Sequence, residues 1–116
     1  MSALKHCGLK PSVVQEIQAA FSHFPEINRV ILYGSRAMGN YNLGSDIDLT
    51  IYLNPQFTPS ITLLNKISVA LDDLNLIYTF DISLFSDITN KNLIEHIKQF
   101  GVIFYALGDC KSGCNS

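Results

Sequence analysis

The chain has 116 residues, of which 47% are hydrophobic and 16% are charged, and its formal net charge is −2. This length predicts one domain with one sizeable core, and the apolar content excludes a disordered chain. The slight acidity and the lack of any basic run argue against strong nucleic-acid binding. No apolar stretch approaches the ~18 residues of a membrane span, and no apolar leader opens the sequence, so we expect a cytoplasmic protein.

The cysteines are too few and too scattered for a disulfide framework: Cys7, Cys110 and Cys114. An odd number without an export signal predicts reduced thiols. A zinc site with His6 is the alternative, but it requires the two termini to meet, and the spacing fits no common zinc pattern. Residues 108 to 116 are small and polar, which predicts a mobile tail after a single domain at 1–107.

Hydrophobic periodicity in the first half of the chain predicts a helix followed by two strands. Residues 12 to 24 place apolar side chains on one helical face, and Ser12 forms a capping-box pattern with Gln15. Residues 29 to 33 (RVILY) are β-branched and aromatic, as in a short buried strand. Residues 46 to 53 (DIDLTIYL) alternate strictly between polar and apolar, which predicts a strand with one buried face.

The second half continues the alternation of helices and strands. Thr58 as N-cap and Pro59 at the first helical position predict a helix that runs to about residue 74. Residues 77 to 84 (IYTFDISL) alternate like a strand. Asn90 is a candidate cap for a last helix that ends at Gly101. The apolar run VIFYAL that follows is either a final strand or a packed segment. This order predicts an α/β (α+β) domain with a small mixed sheet flanked by helices.

Three aspartates lie on the polar faces of the predicted strands. Asp46 and Asp48 are two residues apart, so they share one face at a spacing of roughly 6 to 7 Å. Asp81 stands in the interior of another strand, where a lone aspartate is disfavoured. The alternative is that these aspartates are simply solvated and have no functional role. If the two strands pair, however, the three carboxylates come together on one face of the sheet. Their oxygen atoms are the kind of ligand that Mg²⁺ prefers.

A glycine turn precedes the aspartates in a position typical of phosphate binding. Gly34 and Ser35 follow a strand, and a glycine allows backbone N–H groups to approach an anion closely. Arg36 carries a charge that can pair with phosphate oxygens. Ser45, directly before the acids, is a candidate either for a phosphate contact or for capping the strand. The Gly-Ser pair alone is a weak signal, because many turns contain it.

Together these residues resemble a known family. Gly34-Ser35, ten residues and then Asp46-Ile47-Asp48 form the pattern G-S-x10-D-x-D. The stretch GSRAMGNYNLGSDIDL is similar to the minimal nucleotidyltransferase (MNT) family within the DNA polymerase β superfamily. TFDISLF resembles the segment with the family's third carboxylate, and NKNLIEHIKQFGVIFYA resembles its last helix and strand. The chain departs from the family at Met38, where many members have a basic residue.

The resemblance implies a nucleotidyltransferase fold and a two-Mg²⁺ site. Asp46, Asp48 and Asp81 would be the catalytic acids and metal ligands, and Gly34, Ser35 and Arg36 would hold the triphosphate of a nucleotide. The implied reaction transfers a nucleoside monophosphate, as AMP from ATP, to an acceptor hydroxyl.

The resemblance also implies a protein partner. Such chains are commonly paired with a helical HEPN-type toxin, which the MNT protein neutralises as an antitoxin, in some pairs by transferring AMP to a tyrosine. Two alternatives stay open: a binding module that blocks its partner sterically with a vestigial nucleotide site, and an unrelated α/β domain with exposed acids. A homodimer is also compatible with the apolar composition.

Overall fold

The structure is a computed structural model that describes residues 7–42 and 44–107. The predicted tail at 108–116, with Cys110 and Cys114, lies outside these residues, as does His6. Among the described residues, no helix is long and apolar enough to cross a membrane.

Residues 7–42 and 44–107 form four helices, four strands and one short 3-10 helix. In chain order they are α1 Pro11–Ser22, β1 Ile27–Tyr33, α2 Ser35–Met38, β2 Ile47–Leu53, α3 Ile61–Asp72, β3 Phe80–Leu84, the 3-10 helix Phe85–Asp87, α4 Lys91–Phe100 and β4 Val102–Ala106. The strands form one sheet in the order β3-β2-β1-β4. β1 pairs antiparallel with both β2 and β4, whereas β2 pairs parallel with β3. This arrangement confirms the predicted small mixed sheet flanked by helices.

Helices cover the two faces of the sheet unequally. The larger apolar cluster joins α1 and α3 to the side chains of one sheet face, among them Val30, Leu49 and Phe104. A smaller cluster joins Ile97 of α4 to Ile31 and Tyr33 on the opposite face. The alternation of β2 therefore buries Ile47, Leu49 and Ile51 and leaves its polar residues on the face that α4 only partly covers.

Two helices begin at residues other than those predicted. Lys10 is the N-cap of α1, because its carbonyl accepts the first helical hydrogen bond from Val14 N at 3.0 Å and Pro11 supplies the first helical residue. The capping box predicted at Ser12 is therefore wrong. α3 is capped by Ser60, whose hydroxyl accepts from Leu63 N at 3.1 Å, and not by Thr58. Ser60 replaces Thr58 as the cap because its side chain lies three residues before Leu63, whose N–H is free to donate at the helix start.

The strands differ from the sequence prediction mainly at their ends. β1 starts at Ile27, which is fully buried opposite Leu53 of β2. β3 starts at Phe80 and not at Ile77, which is 92% exposed, because β2 offers its first pairing partner only at Ile47. The final apolar run is a strand, β4, at the outer edge beside β1.

α4 is bounded as the sequence predicts. Asn90 accepts a hydrogen bond from Leu93 N at 3.1 Å, and Gly101 is the C-cap. Gly101 has a φ of −66°, so left-handed backbone is not the reason for a glycine here. A Cβ at this position would overlap the Ile97 carbonyl and lie 2.5 Å from Ile31 Cγ2. The missing side chain lets the chain pass from α4 into β4 in close contact with Ile31 of β1.

We expect Gly101→Ala to lower the free energy of unfolding by roughly 1 to 3 kcal/mol, because the added methyl group overpacks the junction between α4 and β1. Gly44→Ala is the matched control, since a Cβ there meets no atom within 4 Å. Urea unfolding of both variants checks the prediction, and equal midpoints would contradict it.

Candidate active site

Two of the predicted acids lie side by side on the sheet face that α4 partly covers. In the pairing of the strands, Asp48 of β2 lies opposite Tyr33 of β1 on one side and opposite Asp81 of β3 on the other. Paired residues of neighbouring strands direct their side chains to the same face. Tyr33, Asp48 and Asp81 therefore form one row across three strands. Asp48 is half-buried and Asp81 is exposed.

Asp46 lies one step before this row and is held by a neighbour. The Thr79 hydroxyl donates a short hydrogen bond to Asp46 Oδ1, and the Thr79 carbonyl accepts from Ile47 N at 2.9 Å. Across residues 7–42 and 44–107, no three Asp, Glu, His or Cys side chains are gathered closely enough to hold a metal ion. The structure thus brings Asp48 and Asp81 together, and turns Asp46 toward the start of β3.

The three carboxylates nevertheless share one electrostatic environment. Partial burial raises the pKa of Asp48, and the negative charges of Asp81 and Asp46 raise it further, while His96 acts in the opposite direction. Asp48 therefore resists ionisation beside the other two carboxylates, so a cation is the natural counter-charge. Their oxygen donors suit Mg²⁺, which binds proteins through one or two carboxylates together with water and phosphate oxygens.

The glycine turn lies directly against these acids. Gly34 has a φ of 77° and is the N-cap of α2. A Cβ on Gly34 would overlap Asp48 Oδ2. Glycine is required here both by the backbone conformation and by the approach of the carboxylate. The predicted phosphate-binding turn is therefore in contact with Asp48, a predicted metal ligand.

Arg36 lies in the interior and is not an exposed donor beside the acids. Its side chain is 2% exposed. Nε and Nη2 both donate to the Ser45 carbonyl at 3.2 Å, and Nη1 donates to the Cys7 carbonyl at 2.8 Å. The guanidinium also lies 5.1 Å from the ring centres of Tyr41 and Tyr78. In this structure Arg36 joins α2 to the chain just before Asp46, and its predicted phosphate contact stays a prediction.

Ser45 and Ser35 both support the loop between the turn and β2. Ser45 Oγ accepts from Asn42 N at 2.8 Å, and Ser45 N donates to the Asn42 carbonyl at 3.1 Å, which closes a tight turn. The Ser35 carbonyl accepts from Gly39 N at 2.9 Å and from Asn40 N at 3.1 Å, which ends α2. The loop between the two motifs is thus held by its own backbone and by Arg36.

Sequence reasoning misses three residues of this site. These are Tyr33, Thr79 and His96, and all three lie outside the G-S-x10-D-x-D motif. Burial raises the pKa of Tyr33, and Asp81 and Asp48 add to that effect while a hydrogen bond with Ser83 opposes it, so the phenol stays protonated. Tyr33 and Thr79 can be found only from the pairing of the chain segments, because Tyr33 lies opposite Asp48 of β2 and Thr79, just before β3, donates to Asp46, just before β2.

The fold and the acidic row define a nucleotidyltransferase domain of the polymerase β type. The family model described as "Polymerase beta, Nucleotidyltransferase" matches residues 15–107, and the chain belongs to this family. This agrees with the similarity to the minimal nucleotidyltransferases. No curated protein matches the chain.

Solved structures share the fold at low sequence identity. A toxin–antitoxin complex with AMP-PNP matches with 20% identity and a TM-score of 0.58, over 80% of this chain and 73% of that one. A mutant of the MntA–HpeT toxin–antitoxin pair matches with 18% identity and a TM-score of 0.57 over the same shares. A protein from Sulfolobus solfataricus assigned as a nucleotidyltransferase matches with 17% identity and a TM-score of 0.54, over 94% and 91% of the two chains.

We expect Gly34→Ala to destabilise the protein by roughly 2 to 4 kcal/mol, because it combines unfavourable backbone with overlap of Asp48. Gly39→Ala is the matched control: Gly39 also has a positive φ, 86°, but a Cβ there meets open space, so the expected cost is about 1 to 2 kcal/mol. In an Asp48→Ala background the Gly34→Ala cost should fall toward that of the control. Denaturant unfolding of this double-mutant cycle checks the contact, and a cost that does not change would refute it.

The raised pKa of Asp48 predicts how stability depends on pH. The folded state retains this proton at a pH where the unfolded chain has lost it, so stability falls as pH rises from the ordinary carboxyl pKa through the raised value. Above that window the penalty is constant. Asp48→Asn should therefore raise the melting temperature at pH 7 without divalent metal, on the order of a few degrees, with no gain at strongly acidic pH. Thermal melts at both pH values test this, and a lower melting temperature at pH 7 would contradict it.

Proposed function

We propose that this protein is a Mg²⁺-dependent nucleotidyltransferase that transfers AMP from ATP to a hydroxyl group of a partner protein. The observation that carries the proposal is that Asp48 lies beside Asp81 and also against the Gly34 turn. Family membership supports the reaction class. The structural similarity to a toxin–antitoxin complex with AMP-PNP supports the choice of an adenine nucleotide.

The three aspartates would supply the carboxylate ligands for Mg²⁺. Asp46, Asp48 and Asp81 are the residues that would hold Mg²⁺, and Asp46 would do so in competition with Thr79. Bound Mg²⁺ would neutralise the developing charge on the phosphates and increase the acidity of the acceptor hydroxyl. The acceptor oxygen attacks the α-phosphorus, the bond to the β-phosphate oxygen breaks, pyrophosphate leaves, and the hydroxyl proton is released to solvent.

The turn at Gly34 and Ser35 would receive the phosphates. This turn touches Asp48, so a triphosphate bound there would lie beside the carboxylates. Arg36 would contribute by holding the 39–45 loop in place through the Ser45 carbonyl, and its buried positive charge would still favour an anion nearby. The chemistry therefore depends on positioning and charge, with no covalent step on the protein.

The acceptor we propose is a tyrosine of a helical HEPN-type toxin, with this chain as the antitoxin. Both toxin–antitoxin structures that match the fold support a protein partner. We propose a cytoplasmic location for the same reason. Steric neutralisation without catalysis is the competing account, and a single experiment separates the two.

The experiment is intact-protein mass spectrometry of a helical protein encoded beside this chain, after incubation with this chain, ATP and Mg²⁺. The partner should gain one or more AMP units with the wild type and none with Asp46→Ala or Asp81→Asn. Asp81→Asn should still bind Mg²⁺ and ATP, because Asp46 and Asp48 remain. Asp72→Ala, an exposed acid at the end of α3, is the matched control and should transfer normally.

The outcomes separate the alternatives. An adduct that depends on Asp46 establishes transfer and acceptor together. A stable complex without an adduct would reject catalysis and favour steric neutralisation. Unchanged transfer by Asp81→Asn would show that Asp81 has been assigned the wrong role.

A further inference from the structure

His96 connects the last helix to the glycine turn. Gly34 N donates a hydrogen bond to His96 Nε2 at 3.1 Å, although the two residues lie 62 positions apart. Because Nε2 accepts this bond, the proton of the neutral imidazole is on Nδ1. The N-cap N–H lies at a helix start, where backbone donors have no intrahelical partner. His96 satisfies that donor for α2.

The imidazole ring is held in this position from two sides. Its centre lies 6.3 Å from the Tyr33 ring in an edge-on arrangement and 5.3 Å from the Phe100 ring. The next residue, Ile97, is buried against Ile31 and Tyr33, which fixes α4 on the sheet. The orientation of His96 therefore follows from the packing of α4 and does not depend on a flexible surface side chain.

Gly34 is thus confined between two side chains from distant parts of the chain. Asp48 lies on the side where a Cβ would be, and His96 holds the amide. Gly34 adopts a φ of 77° and a ψ of −156°, a conformation that few residues other than glycine reach. Glycine also loses more conformational freedom on folding than any other residue, so an unrestrained turn would sample other states.

We propose that His96 is a positioning residue: by accepting from the Gly34 N–H it holds the Gly34–Ser35 turn in the conformation in which the other donors of the turn would meet the phosphates of Mg²⁺–ATP. This inference rests on the proposed nucleotide site and adds a residue outside the G-S-x10-D-x-D motif. His96 acts through Gly34 and need not touch the nucleotide. Its loss would widen the range of turn conformations, and only a fraction of molecules would then be competent to bind.

The test compares three substitutions in the full chain. His96→Phe keeps a ring against Tyr33 and Phe100 but removes the acceptor. His96→Gln places an amide oxygen at a reach similar to that of Nε2 and should restore the bond. His23→Gln is the matched control, because His23 is an exposed histidine at the end of α1. Melting temperatures of all variants identify any that are merely misfolded.

Two readouts are required. Hydrogen exchange of the Gly34 amide, followed by NMR, should be faster in His96→Phe than in the wild type and slow again in His96→Gln. Calorimetric titration with Mg²⁺–ATP should show affinity reduced about 5- to 10-fold in His96→Phe, which is the loss expected from one hydrogen bond. By the same measure, His96→Gln should recover to within about threefold, and His23→Gln should match the wild type.

The possible failures are distinguishable. If the wild type binds Mg²⁺–ATP and His96→Phe binds it equally well, the positioning role is overturned and the proposed function stands. If Gly34 exchange is the same in His96→Phe and the wild type, the hydrogen bond does not restrain the turn and the inference also falls. If the wild type binds no Mg²⁺–ATP, the proposed function fails and the inference with it, whatever the exchange data show.

Discussion

The arrangement of this protein depends on the register of β2, one of the two inner strands of its sheet. Ile47, Leu49 and Ile51 are buried against α1 and α3. A shift of one residue would expose these three and bury Asp48, so the hydrophobic core fixes which face carries the acids. Parallel pairing with β3 then places Asp81 beside Asp48, and antiparallel pairing with β1 places Tyr33 on the other side. The same apolar contacts that stabilise the fold therefore assemble the acidic row.

The row of Tyr33, Asp48 and Asp81 lowers the stability of the folded state locally. Asp48 is partly desolvated and lies near two other negative charges, and both effects raise its pKa. His96 of α4 acts in the opposite direction, yet the pKa of Asp48 stays raised. Asp46 is instead stabilised by the hydroxyl of Thr79. Natural proteins commonly accept such a conflict at a functional site, because a ligand of opposite charge supplies the missing interaction. The conflict is itself a reason to regard the row as functional.

The loop between the glycine turn and β2 is held closed by a buried charged residue. Arg36 is almost completely buried, and its guanidinium donates to two backbone carbonyls and lies close to two tyrosine rings. Backbone carbonyls satisfy these donors without removing the positive charge. The cation thus remains near the start of β2 while the side chain holds the loop closed. His96 restrains the same turn through α4.

The sequence by itself determined the class of fold, the alternation of β2 and the cap at Asn90, because periodicity and local hydrogen-bonding preferences reside in neighbouring residues. It misplaced the starts of α1 and α3, since several residues near each start could serve as caps and tertiary packing selects among them. The interior position of Arg36, the hydrogen bond from Thr79 to Asp46 and the contact of His96 with Gly34 could not be read from the sequence. Each joins residues that are not neighbours in the chain, and only strand pairing and helix packing decide such contacts.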